Sequence, residues 1–244
     1  MNKKLSILIP TYREGKIIDT SIEDINITLK KEKIDFEIIV IDDNSNDQTI
    51  EKINQISKTN NHIRVILNSS SKGFGNSIIE GIKSANGDII CFVMADQSDS
   101  PKDIINYYNE IILNDYDCIF GDRWIEKDLV ENYPKLKFYI NRFGNKVLSK
   151  LFNIGYSDLT NSFKMYKKSV LLELFPLISY HFSITVEIPL KAISRRYSYK
   201  IVPNHWKNNI HTVSNLNFKH VIFTYSLIII YCLIEKYFLI KKHN

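Results

Sequence analysis

The sequence predicts an α/β fold built on a mostly parallel sheet with helices on both faces. Short apolar runs rich in β-branched residues alternate with segments of helical periodicity, which is typical of consecutive βαβ units. Two of these runs, 36–41 and 88–94, lead directly into carboxylates. Because ligands of an open parallel sheet bind at the carboxyl ends of its strands, the two acidic clusters predict a ligand site along one edge of the sheet.

The elements of the first half follow from local patterns. The predicted strands are 5–10, 36–41, 63–67, 88–94 and 117–120, and the helices between them are 16–31, a segment beginning near Asp47, 74–85 and 101–113. Asn86-Gly87 is a helix C-terminal signal, and Pro101 suits the first turn of the fourth helix. Parallel strands joined in this order require right-handed crossovers.

The pattern changes after Gly121. Residues 135–153 predict an amphipathic helix, 162–166 a strand, 183–194 a helix and 197–202 a strand. The last segment, 221–240, has an uninterrupted apolar part of 14 residues, fewer than the ~20 that span a bilayer. It is either a helix packed on the domain or an amphipathic helix in the membrane interface, with its lysines facing the headgroups.

Charge is distributed unevenly along the chain. Residues 1–131 carry 23 acidic and 15 basic side chains, whereas residues 132–244 carry 4 and 17. An acidic half suits a metal site and a basic half suits a phosphate or a membrane surface, the alternative being that surface lysines only maintain solubility. No nucleic-acid-binding motif occurs. The apolar stretch after Lys3-Lys4 is shorter than that of a signal peptide, which predicts a cytoplasmic protein.

The carboxylates after the two strands are the strongest site candidates. Asp96 and Asp99 are placed to hold Mg²⁺ or Mn²⁺ together with the phosphates of a substrate, with an N-cap of the next helix as the alternative for Asp99. Asp42 and Asp43 can accept hydrogen bonds from a base or a ribose, with a turn and helix cap as the alternative.

Further residues would line the same crevice. Tyr12 is predicted as an aromatic wall, Glu14 as an acceptor, and Lys72-Gly73 as a loop whose free N–H groups approach a ligand. Glu187, in a mostly apolar helix, is either paired with a buried base or directed at the site. Candidate phosphate-binding arginines are Arg123, Arg142, Arg195 and Arg196, and a solvated helix face is the alternative for Arg142.

Taken together, these segments resemble the family 2 glycosyltransferases of GT-A fold, in particular the branch similar to polyprenyl- and dolichol-phosphate mannosyltransferases. The motifs are Ile-Pro-Thr-Tyr-Arg-Glu (9–14), Ile-Ile-Val-Ile-Asp-Asp-Asn-Ser (38–45), Lys-Gly-Phe-Gly-Asn (72–76), Met-Ala-Asp-Gln-Ser-Asp-Ser-Pro (94–101), Gly-Asp-Arg-Trp (121–124), Asp-Leu-Thr-Asn-Ser-Phe-Lys (158–164) and Thr-Val-Glu (185–187). They occur in the expected order over nearly all of 5–210.

The resemblance implies a metal-dependent, inverting hexosyl transfer from a nucleotide-diphosphate sugar to a polyprenyl-phosphate or envelope-glycan acceptor. It implies that Pro10, Thr11, Tyr12 and Glu14, with Asp42, hold the nucleotide and that Asp96 binds metal and diphosphate. It further implies that Arg123, Asp158 and Glu187 form the sugar and acceptor pocket. A phosphate acceptor needs no general base, whereas a hydroxyl acceptor would use Asp158 or Glu187.

The corresponding organisation is a GT-A domain over 1–215, with a nucleotide-binding half 1–122 and an acceptor half 123–215, followed by an apolar and basic helix over 216–244. Peripheral membrane contact through 217–242, at the inner face of the cytoplasmic membrane, is the expectation for this helix.

Two positions depart from the family pattern. Met94 stands where the first carboxylate of Asp-x-Asp is usual, so that Asp99 is expected to compensate. The late basic loop lacks its Arg, Gly and Lys over 208–215, and Lys207, His211 or Lys219 are candidate substitutes. Two other functions stay open: a nucleotidyltransferase, which Arg13-Glu14-Gly15-Lys16 weakly favours, and a non-catalytic relative that binds a partner or a membrane.

Overall fold

The computed structural model describes residues 3–209 and 218–239 and confirms the mostly parallel α/β fold. The strands in these residues are β1 (Leu5–Thr11), β2 (Phe36–Asp42), β3 (Ile63–Leu67), β4 (Ile89–Phe92), β5 (Cys118–Asp122), β6 (Val130–Glu131), β7 (Lys164–Lys167), β8 (Tyr199–Pro203) and β9 (Trp206–Lys207). The helices are α1 (Ile18–Lys31), α2 (Thr49–Thr59), α3 (Phe74–Ser84), α4 (Pro101–Asn114), α5 (Lys135–Phe152), α6 (Lys168–Glu173), α7 (Ile184–Ser194) and α8 (Phe218–Ile234). A π-helical turn, Glu235–Leu239, continues α8.

The central sheet has the strand order β3-β2-β1-β4-β7-β5-β8. β7 is antiparallel to both of its neighbours, β4 and β5, and the other pairings are parallel. The carboxyl ends of β1, β2 and β4 therefore lie side by side, whereas β5 is separated from β4 by one strand. A second, two-stranded sheet pairs β6 with β9.

Burial of both sheet faces explains the composition of the strands. Every residue of β2 is buried, as expected for a central strand covered on two sides. Ile38 and Val40 pack in a cluster with α1, α2 and α4, and Ile39 and Ile41 pack in a second cluster with α3. The alternation of side chains along a strand thus gives each helical layer its own core.

The predicted C-terminal helix is present and packs on the domain. Ile228 and Cys232 of α8 are buried in the cluster that contains α7. Arg195, predicted as a phosphate ligand, instead pairs with Glu235 behind α7. None of the helices in 3–209 and 218–239 has the length and apolar character needed to cross a membrane. The predicted boundary between 215 and 216 lies outside the described residues.

Candidate active site

Sharp turns follow the three strands whose ends meet at the crevice. Arg13, Asn44 and Gln97 adopt positive φ values of 60°, 59° and 56° just after β1, β2 and β4. Such left-handed conformations are uncommon for residues other than glycine and concentrate at functional loops. They lie in the loops that bring Glu14 and Asp96, from different strands, close enough for the charge of Asp96 to act on Glu14.

These turns assemble an acidic cluster of Glu14, Asp96 and Asp99. Burial raises the pKa of Glu14 to about 7, and the negative charges of Asp96 and Asp47 contribute to this rise. Burial, followed by the charge of Asp96, likewise raises the pKa of Asp99 to about 7. Burial and mutual repulsion thus both disfavour the ionised carboxylates of this cluster, and a bound cation would favour them.

Asp99 fits a metal ligand better than a helix cap. Its side chain is buried, and within the described residues neither carboxylate oxygen makes a hydrogen bond of good geometry; the nearby Asn204 amide and Met94 N–H only partly lower its pKa. The N-cap of α4 is Ser100, so the capping interpretation of Asp99 is wrong.

The metal would need ligands from outside the protein. Among residues 3–209 and 218–239, no three His, Cys, Asp or Glu side chains are grouped to hold an ion by themselves. Mg²⁺ and Mn²⁺ are commonly held by one or two carboxylates plus water and substrate phosphates, so Asp96 and Asp99 fit an ion that binds together with a diphosphate.

The structure separates the roles of Asp42 and Asp43. Asp42 is fully buried and accepts hydrogen bonds from Thr11 Oγ1 (3.2 Å), Ser45 Oγ (2.6 Å) and Ser45 N (2.8 Å). Because these donors occupy both carboxylate oxygens of Asp42, neither oxygen is free for the predicted contact with a nucleotide, and Asp42 shapes the loop instead. Asp43 is only half-buried and is the carboxylate of this pair that a ligand can reach.

The loop before α3 is held by the protein itself. Gly73 N–H donates to Asp43 Oδ2 (3.0 Å), and Gly75 N–H donates to Tyr180 O (3.0 Å). A Cβ on Gly73 would lie 2.2 Å from Tyr180 O, so this glycine is needed for close approach of the chain at 179–181. The prediction that Gly73 offers a free N–H to a ligand is therefore wrong.

Tyr12 forms the exposed wall of the crevice. Its side chain is 43% exposed, and the cationic groups of Arg13 and Lys72 lie 5.0 Å from its ring centroid. Pro10 and Thr11 are buried beneath it, where Thr11 O accepts from Asp43 N (2.9 Å). Tyr12, Arg13 and Lys72 thus offer an aromatic face and two cations beside the acidic cluster, a combination suited to a base and a phosphate.

Across the crevice, Arg123 is clamped by Asp158. Arg123 Nε and Nη2 donate to the two carboxylate oxygens of Asp158 (2.7 and 2.8 Å), and the Arg123 backbone N–H donates to Oδ2 (3.1 Å). The Asp158 side chain is fully buried. Asp158 is thus the counter-ion of a permanent cation, and the pairing leaves neither of its oxygens free for the predicted role as a general base.

Aromatic rings surround the other sides of Arg123. The guanidinium carbon lies 5.8, 5.7 and 5.7 Å from the ring centroids of Trp124, Tyr133 and Trp206. Burial opposes the charge of Arg123, but Asp158 more than offsets this and raises the pKa of the guanidinium, which keeps it cationic. Trp124 directly follows Arg123 in the Gly-Asp-Arg-Trp motif, so the sequence places it beside the guanidinium. Tyr133 and Trp206 come from other segments and belong to none of the sequence motifs.

Lys137 is a site residue that the sequence did not single out. Its ammonium lies 5.7 Å from the centroid of Tyr133 and 6.0 Å from that of Trp206. Partial desolvation and then the charge of Arg123 lower the pKa of Lys137, while Asp96 raises it. Arg123 and Lys137 therefore form a cationic pair that faces the carboxylate side of the crevice.

Arg142 supports the same region from α5. It donates to Ser157 O (3.0 Å), and its guanidinium carbon lies 5.7 Å from the ring centroid of Trp124. Arg142 is half-buried against the site, so the interpretation as a fully solvated helix face is wrong.

Glu187 lies behind the site. Its fully buried carboxylate pairs with Lys191 Nζ (3.1 Å) and accepts from the backbone N–H groups of Ile178 (2.9 Å) and Ser179 (2.8 Å). Of the two interpretations, the structure shows pairing with a buried base, which leaves neither oxygen free for the predicted role as a general base. Glu187 positions the segment that ends at Tyr180 and so supports the loop before α3.

The late basic loop is described only in part. Asn209 Nδ2 donates to the backbone O of Asp96 (3.0 Å), which ties this loop to the metal candidate. Lys207 pairs with Glu131 (3.1 Å) on the surface. Residues 210–215, and with them His211, lie outside the described residues, as does the side chain of Lys219.

A cavity adjoins the crevice. Its volume is about 610 Å³, it shares Asp99 with the acidic cluster, and it extends past Met94 to Asp103 and His205. The His205 ring lies 3.1 Å from the buried carboxylate of Asp103. Met94, in the place of a carboxylate, thus forms part of an open wall between the cluster and this cavity.

The architecture and these clusters define a class of protein, and comparison with known proteins identifies its family. Residues 6–175 match the model for glycosyl transferase family 2, so the chain belongs to this family, as the ordered motifs predicted. It is similar to the dolichol-phosphate mannosyltransferase of Pyrococcus furiosus, with 31% identity over 78% of this chain and 53% of that protein. It is also similar to the dolichyl-phosphate beta-glucosyltransferase of Dictyostelium discoideum, with 26% identity over 72% of this chain and 58% of that protein.

Solved structures share the fold. The glucosyl-3-phosphoglycerate synthase of Mycobacterium tuberculosis, crystallised with Mn²⁺, uridine diphosphate and phosphoglyceric acid, superposes with a TM-score of 0.69 at 13% identity, over 98% of this chain and 80% of that one. At 13% sequence identity, the superposition shows that the two proteins share a fold and nothing more. The chain spans little more than half the length of the mannosyltransferase and the glucosyltransferase named above.

Proposed function

We propose that this protein is a metal-dependent, inverting glycosyltransferase that moves a sugar from a nucleotide-diphosphate donor to a phosphate-bearing lipid, with an envelope glycan as the other acceptor class. The observation that carries the proposal is the juxtaposition of two opposite charge clusters across one crevice. Asp96 and Asp99 supply the negative side, and Arg123 and Lys137 supply the positive side, close enough for mutual effects on their pKa values.

The donor would bind on the Tyr12 side of the crevice. Tyr12 offers an aromatic face, Asp43 offers acceptor oxygens for hydroxyl or amide donors, and Arg13 and Lys72 add positive charge beside the ring. Asp42 and Thr11 hold this wall in place from below.

The metal would be held by Asp96 and Asp99, and the Mn²⁺ and Mg²⁺ present in the structural neighbours support this choice of ion. When bound, the ion offsets the charge that builds on the leaving diphosphate. The protein's own contribution is to orient Asp96: Ser98 N–H donates to its Oδ1 (3.0 Å), and Asn209 Nδ2 donates to its backbone O (3.0 Å).

The acceptor phosphate would bind at Arg123 and Lys137. Asp158 keeps the Arg123 guanidinium in one orientation, and the surrounding rings exclude water from it, so the cation is pre-organised before the acceptor arrives. An ionised phosphate oxygen attacks the anomeric carbon without losing a proton. The engagement of Asp158 and Glu187 in buried ion pairs is therefore compatible with a phosphate acceptor and argues against a hydroxyl acceptor that depends on either residue.

The test is sugar transfer from nucleotide sugars to polyprenyl phosphate in the presence of Mn²⁺. Asp96→Asn is expected to lower the transfer rate at least about 100-fold, because one of the two metal carboxylates is lost. Asp35→Asn is the matched control, since Asp35 is exposed and lies before β2, at the opposite edge of the sheet. Equal turnover of Asp96→Asn and the wild type would contradict the proposal.

A further inference from the structure

The outer face of α5 is apolar and has no partner among the described residues. Its exposed residues are Leu136 (73%), Tyr139 (68%), Ile140 (49%), Phe143 (72%), Val147 (40%) and Leu151 (44%). Their spacing of three and four residues places them on one side of the helix as a continuous stripe, here called the α5 stripe. A contiguous apolar surface of this kind on a folded domain marks an interaction site.

The inner face of α5 is already fully used, so the stripe is not a loosely packed part of the core. Leu148 and Phe152 are buried, and Phe138 packs against Trp124 with 5.1 Å between ring centroids. Asn145 Nδ2 donates to Thr160 Oγ1 (2.9 Å). The helix is therefore anchored on one side and presents the α5 stripe on the other.

Positive charge borders the α5 stripe. The helix carries Lys135, Lys137, Arg142, Lys146 and Lys150 and contains no acidic residue. Arg142, Lys146 and Lys150 recur every four residues, which aligns them along one flank of the stripe. They line an open pocket of about 440 Å³ together with Ser149, Asn153 and Ser157. No ion pair between described residues includes Lys146 or Lys150.

A second apolar stripe meets α5 at its end. Phe223, Leu227, Ile230 and Ile234 of α8 are 44–63% exposed at spacings of three and four residues. Lys236, just beyond α8, donates to the carbonyl of Phe152, the last residue of α5. The exposed apolar surface of the domain therefore involves two helices, α5 and α8, and the turn after α8 contacts the end of α5.

We propose that α5 is a membrane-docking helix, whose apolar stripe enters the interface of an anionic bilayer while the exposed Lys146 and Lys150 bind lipid phosphate headgroups. An apolar face flanked by cations is the arrangement that lies in the membrane interface. A second copy of the chain fits less well, because apposed α5 helices would bring two sets of five cations together without an anion. This surface is distinct from the proposed sugar-transfer site.

The test is flotation of the full chain, without donor or metal, on vesicles of phosphatidylcholine with phosphatidylglycerol and on vesicles of phosphatidylcholine alone. The wild type is expected to bind the anionic vesicles and to be released by high salt. Phe143→Ser with Val147→Ser is expected to lower the partition coefficient at least about tenfold. Lys146→Glu with Lys150→Glu is expected to lower it by at least about tenfold on anionic vesicles only.

Matched exposed substitutions serve as controls. Leu113→Ser removes a leucine that is 77% exposed on α4, and Lys58→Glu with Lys83→Glu reverses two exposed lysines on α2 and α3. Both are expected to leave vesicle binding within about twofold of the wild type, with all variants keeping the wild-type melting temperature.

Three results would overturn the proposal. The first is unchanged binding of both α5 variants, with loss only in Phe223→Ser, Leu227→Ser, which would assign docking to α8 alone. The second is a dimer in sedimentation velocity that Phe143→Ser, Val147→Ser dissociates, which would assign the stripe to a second copy. The third is equal binding of the wild type to neutral and anionic vesicles.

Discussion

Asp158→Asn is the substitution that most clearly separates a counter-ion from a general base. In the wild type, Asp158 receives two hydrogen bonds from the Arg123 guanidinium (2.7 and 2.8 Å) and one from the Arg123 backbone (3.1 Å), in a fully buried position. The asparagine keeps the shape and one acceptor oxygen but removes the negative charge. Arg123 then stays buried with its charge uncompensated.

The expected cost follows from this geometry. Removing one partner of a buried ion pair destabilises a protein by about 3–5 kcal/mol, because the remaining charge is left without compensation. Since the introduced amide would still accept one hydrogen bond and the aromatic rings around Arg123 stabilise a cation, we expect the lower end, about 3 kcal/mol. Neutralising both partners, with Arg123→Met added, is expected to recover part of this loss.

Urea unfolding at neutral pH measures the effect, with Asp19→Asn as the matched control. Asp19 pairs with Lys52 at 2.9 Å, but both side chains are partly exposed, so its loss is expected to cost no more than ~0.5 kcal/mol. A free-energy change for Asp158→Asn as small as that of the control would refute the counter-ion assignment and return Asp158 to the candidates for acid–base chemistry.

Three further outcomes are expected. Asp99→Asn removes an unpaired buried carboxylate next to Asp96, so the metal-free protein should melt roughly 3 °C higher while its Mn²⁺-induced shift disappears, as measured by differential scanning fluorimetry. Glu187→Gln leaves Lys191 buried without its counter-ion and should cost about 3 kcal/mol in urea unfolding, part of which Lys191→Met restores. Burial lowers the pKa of Lys164 from 10.5 to about 7, so the unfolded chain binds more protons than the folded one between these values. Unfolding free energy should therefore rise with pH across that window by up to ~1.4 kcal/mol per unit, and Lys164→Met should abolish this slope.

Each of these outcomes has a clear opposite. A lower melting temperature for metal-free Asp99→Asn would mean that the carboxylate is stabilised by contacts within the fold. A Glu187→Gln cost no larger than that of Asp19→Asn would mean that its pairing with Lys191 contributes little. An identical pH slope in the wild type and Lys164→Met would place the titrating group elsewhere.

Much of the fold could be predicted because local pattern and burial agree in its first half. The apolar run of β2 and the Pro101 start of α4 are signals that need no tertiary information. The position of β7 between β4 and β5 could not be predicted, because it depends on pairings with strands far away in sequence. The β6–β9 ribbon, with strands of two residues, is too short to produce a periodic pattern.

The site was predictable in its location but only partly in its roles. Strand ends located Asp42, Asp43 and Asp96 correctly at one edge, since topology alone brings them together. Whether a carboxylate faces a ligand or a buried partner depends on side-chain contacts, which is why Asp42 and Asp158 were assigned roles for which their hydrogen bonds leave no free oxygen. The same limit applies to Glu187, for which pairing was one of two interpretations.

Around Arg123 the limit is of another kind, because the fold brings residues to the guanidinium that no sequence pattern indicates. Tyr133 and Trp206 reach the guanidinium from either end of the β6–β9 ribbon, and Lys137 reaches it from the first turn of α5. A single aromatic residue or lysine has no sequence signature of such a role, because many surface residues share its type and surroundings.

The central claim is that the crevice binds a nucleoside diphosphate through a metal held by Asp96 and Asp99. Isothermal titration of uridine, guanosine, adenosine and cytidine diphosphates, each with and without Mn²⁺, tests it most directly. We predict that at least one nucleotide binds the wild type with Mn²⁺ and binds at least about tenfold more weakly without the ion or in Asp96→Asn. Metal-independent binding of equal strength in both proteins, or no binding of any of the four, would contradict the claim.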